Sequence, residues 1–157
     1  MTQRMMRWVL FLVLVMGATS SWATPPKKAA APSYWGHVDS APAFAVLGGK
    51  AIARLINEGE AYMGILEGFP GLVVPEHTHA NEIELLYVLQ GGGVMTIAGK
   101  EMSVRPGMAI QVPRGVKHAF RIPADAKEKF VAVQVYTPSG PQTRFRKGKP
   151  VKGSASK

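Results

Sequence analysis

The sequence predicts an all-β protein, an antiparallel jelly-roll β-barrel, on the strength of three observations. Short runs rich in Val, Ile, Leu and aromatic residues alternate with turns that contain Gly or Pro. No segment shows a sustained helical period. The chain of 157 residues has the length of one ordinary domain. Many short strands with tight turns in one domain are typical of closed or sandwiched antiparallel sheets.

Each predicted strand is a short apolar run between turn residues. The turns are marked by Gly or Pro at 69–71, 90–92, 98–99, 105–107 and 113–115. The predicted strands are 44–47, 51–57, 61–67, 72–79, 83–89, 93–98, 100–104, 108–112, 117–122 and 129–136. A lone barrel of this kind leaves an apolar outer face that a second copy often covers, so we expect a homodimer.

The N-terminus predicts export from the cytoplasm. Arg4 and Arg7 precede an apolar run at 8–18, and small and polar residues then lead to Ala23. This order is typical of a secretory signal, so we interpret residues 1–23 as a signal peptide cleaved after Ala23. An uncleaved membrane anchor is the alternative, but the apolar run is about half of the roughly 20 residues that cross a bilayer. We therefore expect a secreted or periplasmic protein with no stable membrane span after cleavage.

The remaining chain divides into three parts by composition. Residues 24–33 are rich in Pro and Ala and predict a linker, residues 34–140 carry the barrel pattern, and residues 141–157 predict a basic, disordered tail. The net charge of +9 comes from the ends, since ten of the 19 basic residues lie before residue 29 or after residue 143. A near-neutral body gives no reason to expect a specific nucleic-acid partner. Adhesion of the tail to anionic surfaces is the alternative for that segment.

Three histidines in the strand pattern predict a metal site. His77 and His79 stand two residues apart, which on a strand places both side chains on one face. Glu84 opens the next predicted strand, and His118 lies on a later one. Cysteine is absent, which excludes thiolate ligands and disulfides. Three imidazoles and one carboxylate suit one divalent transition metal, Fe, Mn, Ni, Cu or Zn, with coordination positions left open for a ligand.

Nine residues at fixed spacings also form two signatures that resemble those of the cupin family. The first runs from residue 71 to 91 and the second from 107 to 118. The resemblance implies a cupin barrel in which His77, His79, Glu84 and His118 are the four metal ligands. One departure is Ile122, which stands where the second signature commonly has Asn. The nine positions are Gly71, His77, His79, Glu84, Gly91, Gly107, Pro113, Gly115 and His118.

A second carboxylate, Glu82, competes with Glu84 for the ligand role. Glu82 shares its strand face with Glu84, and a shift of register would exchange the two. We prefer Glu84 because its spacing to Gly91 fits the signature. Glu82 is then the candidate catalytic residue, a group that handles protons beside the metal.

Two functions fit this pattern. The first is a metalloenzyme of dioxygenase, decarboxylase or isomerase type that acts on a small oxygen-bearing organic compound. The second is a non-catalytic module that binds or senses a small ligand. Leu86 shares a face with Glu84, and Phe120 shares one with His118, so either function predicts a ligand with an apolar body.

Overall fold

The computed structural model of the protein describes residues 35–152. The predicted signal peptide at 1–23 and linker at 24–33 lie outside the described residues, as does the end of the tail from residue 153. Within residues 35–152, no helix is both long enough and apolar enough to cross a membrane.

The all-β prediction is confirmed. All ten predicted strands are present, and their ends differ from the prediction by at most two residues. Residues 35–152 form eleven strands: β1 Ala43–Val46, β2 Ala51–Glu58, β3 Tyr62–Gly68, β4 Val73–His77, β5 Ile83–Gln90, β6 Gly93–Ile97, β7 Lys100–Val104, β8 Ala109–Val112, β9 His118–Arg121, β10 Phe130–Thr137 and β11 Lys149–Pro150.

The described strands form two antiparallel sheets whose inner faces share one core. Seven strands form the larger sheet in the order β11-β1-β2-β3-β10-β5-β8, and four form the smaller in the order β4-β9-β6-β7. Val88 and Phe130 from the larger sheet pack in one cluster with Met95 and Phe120 from the smaller. Two packed antiparallel sheets with these crossing connections are the predicted jelly roll.

Strand β10 shows how the sequence specifies which side faces inward. Phe130, Ala132, Gln134 and Tyr136 are buried, and the residues between them are only half-buried. This period of two is the pattern of a strand with one face in the core. Burial of Phe130 contributes about 1.5–3 kcal/mol to stability. Because β10 lies between β3 and β5, its inward residues reach the centre of the barrel.

The four glycines of the two signatures lie where the chain turns sharply. Gly71, Gly91, Gly107 and Gly115 all have φ between 66° and 84°. Side chains with a Cβ resist this left-handed region, so glycine is the favoured residue there. The expectation that these glycines mark sharp turns is confirmed.

The prediction of a disordered tail is wrong for residues 141–152. Pro141–Lys147 form a 3₁₀ turn, and β11 pairs with β1. Phe145 causes the difference, because it is buried against Tyr62 and Tyr136 and fixes the turn on the barrel. Arg146 also pairs with Glu58. The basic composition of the segment concealed this single aromatic anchor.

Candidate metal centre

The three predicted histidines meet at one end of the barrel. His77 ends β4, His118 begins β9, and the two residues are direct partners in the register of these strands. His79 lies two residues beyond the end of β4, where its carbonyl accepts a hydrogen bond from the Gly115 amide at 2.8 Å. The ring centroid of His118 lies 4.1 Å from that of His77 and 5.1 Å from that of His79. One ring nitrogen of each histidine lies within 4.8 Å of the others, a spacing that one ion can bridge.

Backbone carbonyls orient two of the three imidazoles. Nδ1 of His77 lies 2.9 Å from the Pro75 carbonyl oxygen, and Nδ1 of His118 lies 3.0 Å from that of Val116. A carbonyl oxygen only accepts hydrogen bonds, so in each neutral ring the proton belongs on Nδ1. Nε2 then carries the free lone pair that a metal requires.

Glu84 completes the group from β5. Its Oε2 atom lies 3.1 Å from His118 Nε2 and 3.4 Å from His79 Nε2, and the residue is 5% exposed. Both Nε2 atoms are buried, and neither makes a hydrogen bond within the described part of the chain. A buried polar atom without a partner costs about 1–3 kcal/mol. Because these two atoms converge on one carboxylate oxygen, the residues present fit a bound cation.

The ionisable side chains of the group shift one another's pKa. Burial opposes the ionisation of Glu84, but the nearby imidazoles of His118 and His79 and the Gln134 amide outweigh it. Together they hold the pKa of Glu84 well below its ordinary value. Burial lowers the pKa of His77. Burial opposes the protonation of His118, but the Glu84 carboxylate and the Val116 carbonyl outweigh it and raise the pKa of His118. A metal ion binds a carboxylate in its ionised form and an imidazole in its neutral form, so an ion at Nε2 of His118 would replace a proton there.

Two residues of β10 hold the Glu84 carboxylate, and sequence reasoning missed both. Gln134 Nε2 donates a hydrogen bond to Glu84 Oε1 at 2.7 Å, and the Tyr136 hydroxyl donates to the same oxygen at 3.4 Å. Gln134 Nε2 also lies 2.9 Å from Tyr136 Oη. Such contacts leave Oε2 directed at the histidines and fix the carboxylate in place. The available signal was a polar Gln at an inward position of an otherwise apolar strand.

The structure separates Glu84 from Glu82. Glu82 precedes β5 and is half-buried, and its Oε2 accepts a hydrogen bond from the Asn81 amide at 3.3 Å. Glu84 lines the cavity beside the histidines, whereas Glu82 is not among the residues that line it. Strand β5 thus places Glu84, the preferred ligand, beside the histidines, whereas Glu82 lies in the turn before the strand.

A cavity of about 400 Å³ opens beside the histidine cluster. Its size is within the usual range for small-molecule sites. Leu86 and Phe120 line it, as the strand pattern predicted. Its other apolar walls include Leu66, Leu72, Val74, Met95, Val104, Ile110 and Phe130, and its polar lining residues are His77, Glu84, His118, Gln134, Tyr136 and Arg144.

Part of the chain matches the model of a known protein family. Residues 69–134 match the family model of the cupin domain. The chain therefore contains a cupin domain, which includes the three histidines and Glu84. No curated protein sequence matches the chain.

Solved structures with the same fold share little sequence with the chain. An RmlC-like cupin from Shewanella frigidimarina has a TM-score of 0.60 and 15% identity over 71% of this chain and 96% of its own. A predicted oxalate decarboxylase from Thermotoga maritima has a TM-score of 0.59 and 17% identity over 66% and 98%. The polyketide cyclase RemF from Streptomyces resistomycificus has a TM-score of 0.57 and 23% identity over 67% and 79%. At these identities the likeness establishes the fold alone.

Proposed function

We propose that this protein is an exported, metal-dependent cupin enzyme that acts on a small oxygen-bearing organic compound. The reaction is of dioxygenase, decarboxylase or isomerase type. One observation carries the proposal: two buried Nε2 atoms without hydrogen bonds converge on Glu84 beside a mostly apolar cavity. An ion can bind between these side chains, and an organic molecule can bind next to it in the cavity.

The ligands of the proposed centre are His77, His79, Glu84 and His118. They would hold one divalent transition metal, Fe, Mn, Ni, Cu or Zn. When bound, the ion supplies Lewis-acid or redox chemistry to an oxygen of the substrate. Gln134 holds the carboxylate of Glu84 in position. The apolar walls of the cavity limit the access of water to the reacting group.

A non-catalytic module that binds or senses a small ligand is the second candidate, and the position of Glu82 favours it. Glu82 was the expected proton-handling group, yet it lies outside the cavity lining. Within residues 35–152, the only carboxylate that lines the cavity is Glu84. An enzyme of this design would therefore have to use its histidines, Tyr136 or metal-bound groups for proton transfer.

Turnover by metal-loaded protein distinguishes the two candidates. We expect protein loaded with Fe²⁺, Mn²⁺ or Ni²⁺ to convert at least one member of a panel of small acids, diketones and phenols. His79→Ala should reduce the rate about 100-fold or more, because it removes a ligand of the proposed ion. Lys100→Ala, an exposed change on β7, is the control and should retain the rate. Equal rates in wild type and His79→Ala, or retention of compounds without conversion, would contradict the enzyme proposal.

Export is part of the proposal. Its support is the pattern of Arg4, Arg7, the apolar run at 8–18 and Ala23, which is typical of a cleaved signal. The mature chain would begin at Thr24 in the periplasm or the medium. Mass spectrometry of the exported protein checks this start, and an intact Met1 would contradict it.

We also propose that the outer face of the larger sheet forms a homodimer contact. Val135 lies between Met63 and Leu85 in the strand register, and Val133 lies between Ile65 and Tyr87. Met63 is 48% exposed and Tyr87 is 49% exposed. Adjacent apolar side chains across three strands are typical of a surface that a partner covers.

Substitution on this face tests the dimer. We expect the wild-type protein to sediment at twice the mass of the chain. Tyr87→Glu should give a monomer, because it places a charge in the apolar contact. Val73→Glu, an equally charged change at an exposed apolar residue of the smaller sheet, should remain dimeric. A monomeric wild type or a dimeric Tyr87→Glu would exclude this face as the contact.

A further inference from the structure

We propose that Arg144 makes the cavity selective for organic carboxylates with an apolar body. The guanidinium would pair with the ligand's carboxylate at the mouth of the cavity, while the body of the ligand packs against the apolar walls. This inference deepens the proposed function and rests on it, since it assumes that the cavity is the ligand site. Arg144 is then a specificity-determining residue.

The next residue, Phe145, anchors the turn that places Arg144 at the cavity. Arg144 belongs to the 3₁₀ turn Pro141–Lys147, in which Phe145 is 7% exposed and packs into the barrel. The guanidinium carbon lies 5.4 Å from the centroid of the Phe145 ring. Arg144 is exposed as a whole residue, yet it lines the cavity. Its position is therefore the mouth, where a side chain meets both the solvent and a bound molecule.

Arg144 is connected to the histidine cluster through one hydroxyl. Its Nη2 atom donates a hydrogen bond to Tyr136 Oη at 3.4 Å, and Tyr136 in turn donates to Glu84 Oε1 at 3.4 Å. The guanidinium therefore lies on the same side of the cavity as the cluster, and the carboxylate of a bound molecule can contact both. The volume of about 400 Å³ accommodates such a molecule.

The charges of the cavity leave Arg144 without an acidic partner. Among the residues that line the cavity in the described part of the chain, Arg144 is the only Lys or Arg, and the only carboxylate, Glu84, faces the histidines. No ion pair within residues 35–152 includes Arg144, whereas Arg146 on the same turn pairs with Glu58. A guanidinium has five N–H donors in a planar fork that matches a carboxylate.

The rest of the lining defines the body of the ligand. Leu, Val, Met and Phe side chains form most of the wall, and they offer no hydrogen bonds to a polar body. A neutral ligand would displace water from the guanidinium without giving it an anion to pair with. A carboxylate with an apolar aliphatic or aromatic body matches both the guanidinium and the apolar walls.

Arg144 lies outside the matched cupin domain, which ends at residue 134. The C-terminal turn that carries it is held by this chain's own Phe145. The proposed selectivity therefore depends on a segment outside the residues that match the family model.

Matched acids and amides test the inference. The probes are acetate, butyrate, phenylacetate and 3-phenylpropionate, each compared with its primary amide by calorimetric titration of metal-free and Ni²⁺-loaded protein. We expect at least one acid with an apolar body to bind about 10-fold or more tightly than its amide, which is the usual size of a charge-assisted contact. Arg144→Gln should reduce this ratio to within about twofold and leave the amide's affinity unchanged. Arg144→Glu should reverse the preference.

Lys147→Gln is the matched control, because it removes the same charge from the same turn at an exposed residue that does not line the cavity. It should retain the ratio of the wild type. Equal binding of every acid and its amide by the wild type would overturn the inference, as would an unchanged ratio in Arg144→Gln.

The two proposals fail separately in this design. If the acid preference depends on Arg144 but metal-loaded protein converts no compound, the enzyme proposal fails and the inference stands. If conversion depends on His79 but acids and amides bind equally, the inference fails and the enzyme proposal stands.

Discussion

Replacement of His79 by alanine is expected to weaken the binding of Ni²⁺ or Zn²⁺ about 100-fold or more. His79 is 5% exposed, and its Nε2 atom lies 3.4 Å from Glu84 Oε2 without a hydrogen bond. Loss of its imidazole removes one of three nitrogens from the proposed site, and changes even to supporting residues of metal sites cost 10–100-fold. Competition titration against a chelator of known affinity measures the change.

His37→Ala is the matched control for this titration. The side chain of His37 is 72% exposed, and the residue does not belong to the cluster. Its loss should leave metal affinity unchanged. Equal metal affinity in wild type and His79→Ala would contradict the assignment of His79 as a ligand.

Gly91→Ala is expected to lower the free energy of unfolding by about 3 kcal/mol or more. Gly91 has φ +66°, and a Cβ atom there would lie 2.3 Å from the Lys129 carbonyl oxygen and 3.0 Å from Phe130 Cα. The left-handed conformation costs a side chain about 1–2 kcal/mol, and the overlap with backbone adds to it. Because Lys129 leads into β10, the strain reaches the strand that carries Gln134 and Tyr136. Urea denaturation measures the loss.

Gly99→Ala separates conformation from overlap. Gly99 has φ +76°, but a Cβ atom there has no neighbour within 4 Å. Its cost should be about 1–2 kcal/mol, from the backbone conformation alone. If Gly91→Ala lowers the free energy of unfolding no more than Gly99→Ala does, overlap of the added Cβ with the Lys129 carbonyl oxygen does not contribute to the loss.

The strands could be predicted from sequence because their signals are local. Apolar runs bounded by Gly and Pro located all ten of the predicted strands to within two residues. The short strand β11 was missed, because Lys149 and Pro150 have no apolar pattern and the strand exists only through its pairing with β1. Ile122, which departs from the second signature, is 2% exposed and packs in the core.

The candidate site could be predicted only in part. Strand parity and signature spacing identified His77, His79 and His118, although β4 ends at His77 and His79 reaches the cluster from beyond it. The choice between Glu82 and Glu84 depended on where β5 begins, which a sequence locates only to within a few residues. Strand β5 begins at Ile83, so Glu84 lies within the strand and Glu82 before it.

The contacts that support the site depend on tertiary structure. Gln134 lies 50 residues from Glu84 along the chain, and only the pairing of β10 with β5 brings them together. Arg144 reaches the cavity because Phe145 is buried beside it, a contact that the basic composition of the segment does not indicate. These contacts depend on interactions between distant parts of the chain, which local sequence patterns do not predict.

The metal content of the native protein tests the central claim most directly. The protein is purified from its own compartment without a chelating tag, and its transition metals are measured by elemental analysis beside His79→Ala prepared in the same way. We predict about one transition-metal ion per wild-type chain, held by His77, His79, Glu84 and His118, and about one tenth of that or less in the variant. A wild-type chain without stoichiometric metal, or a variant with the same content, would contradict the account.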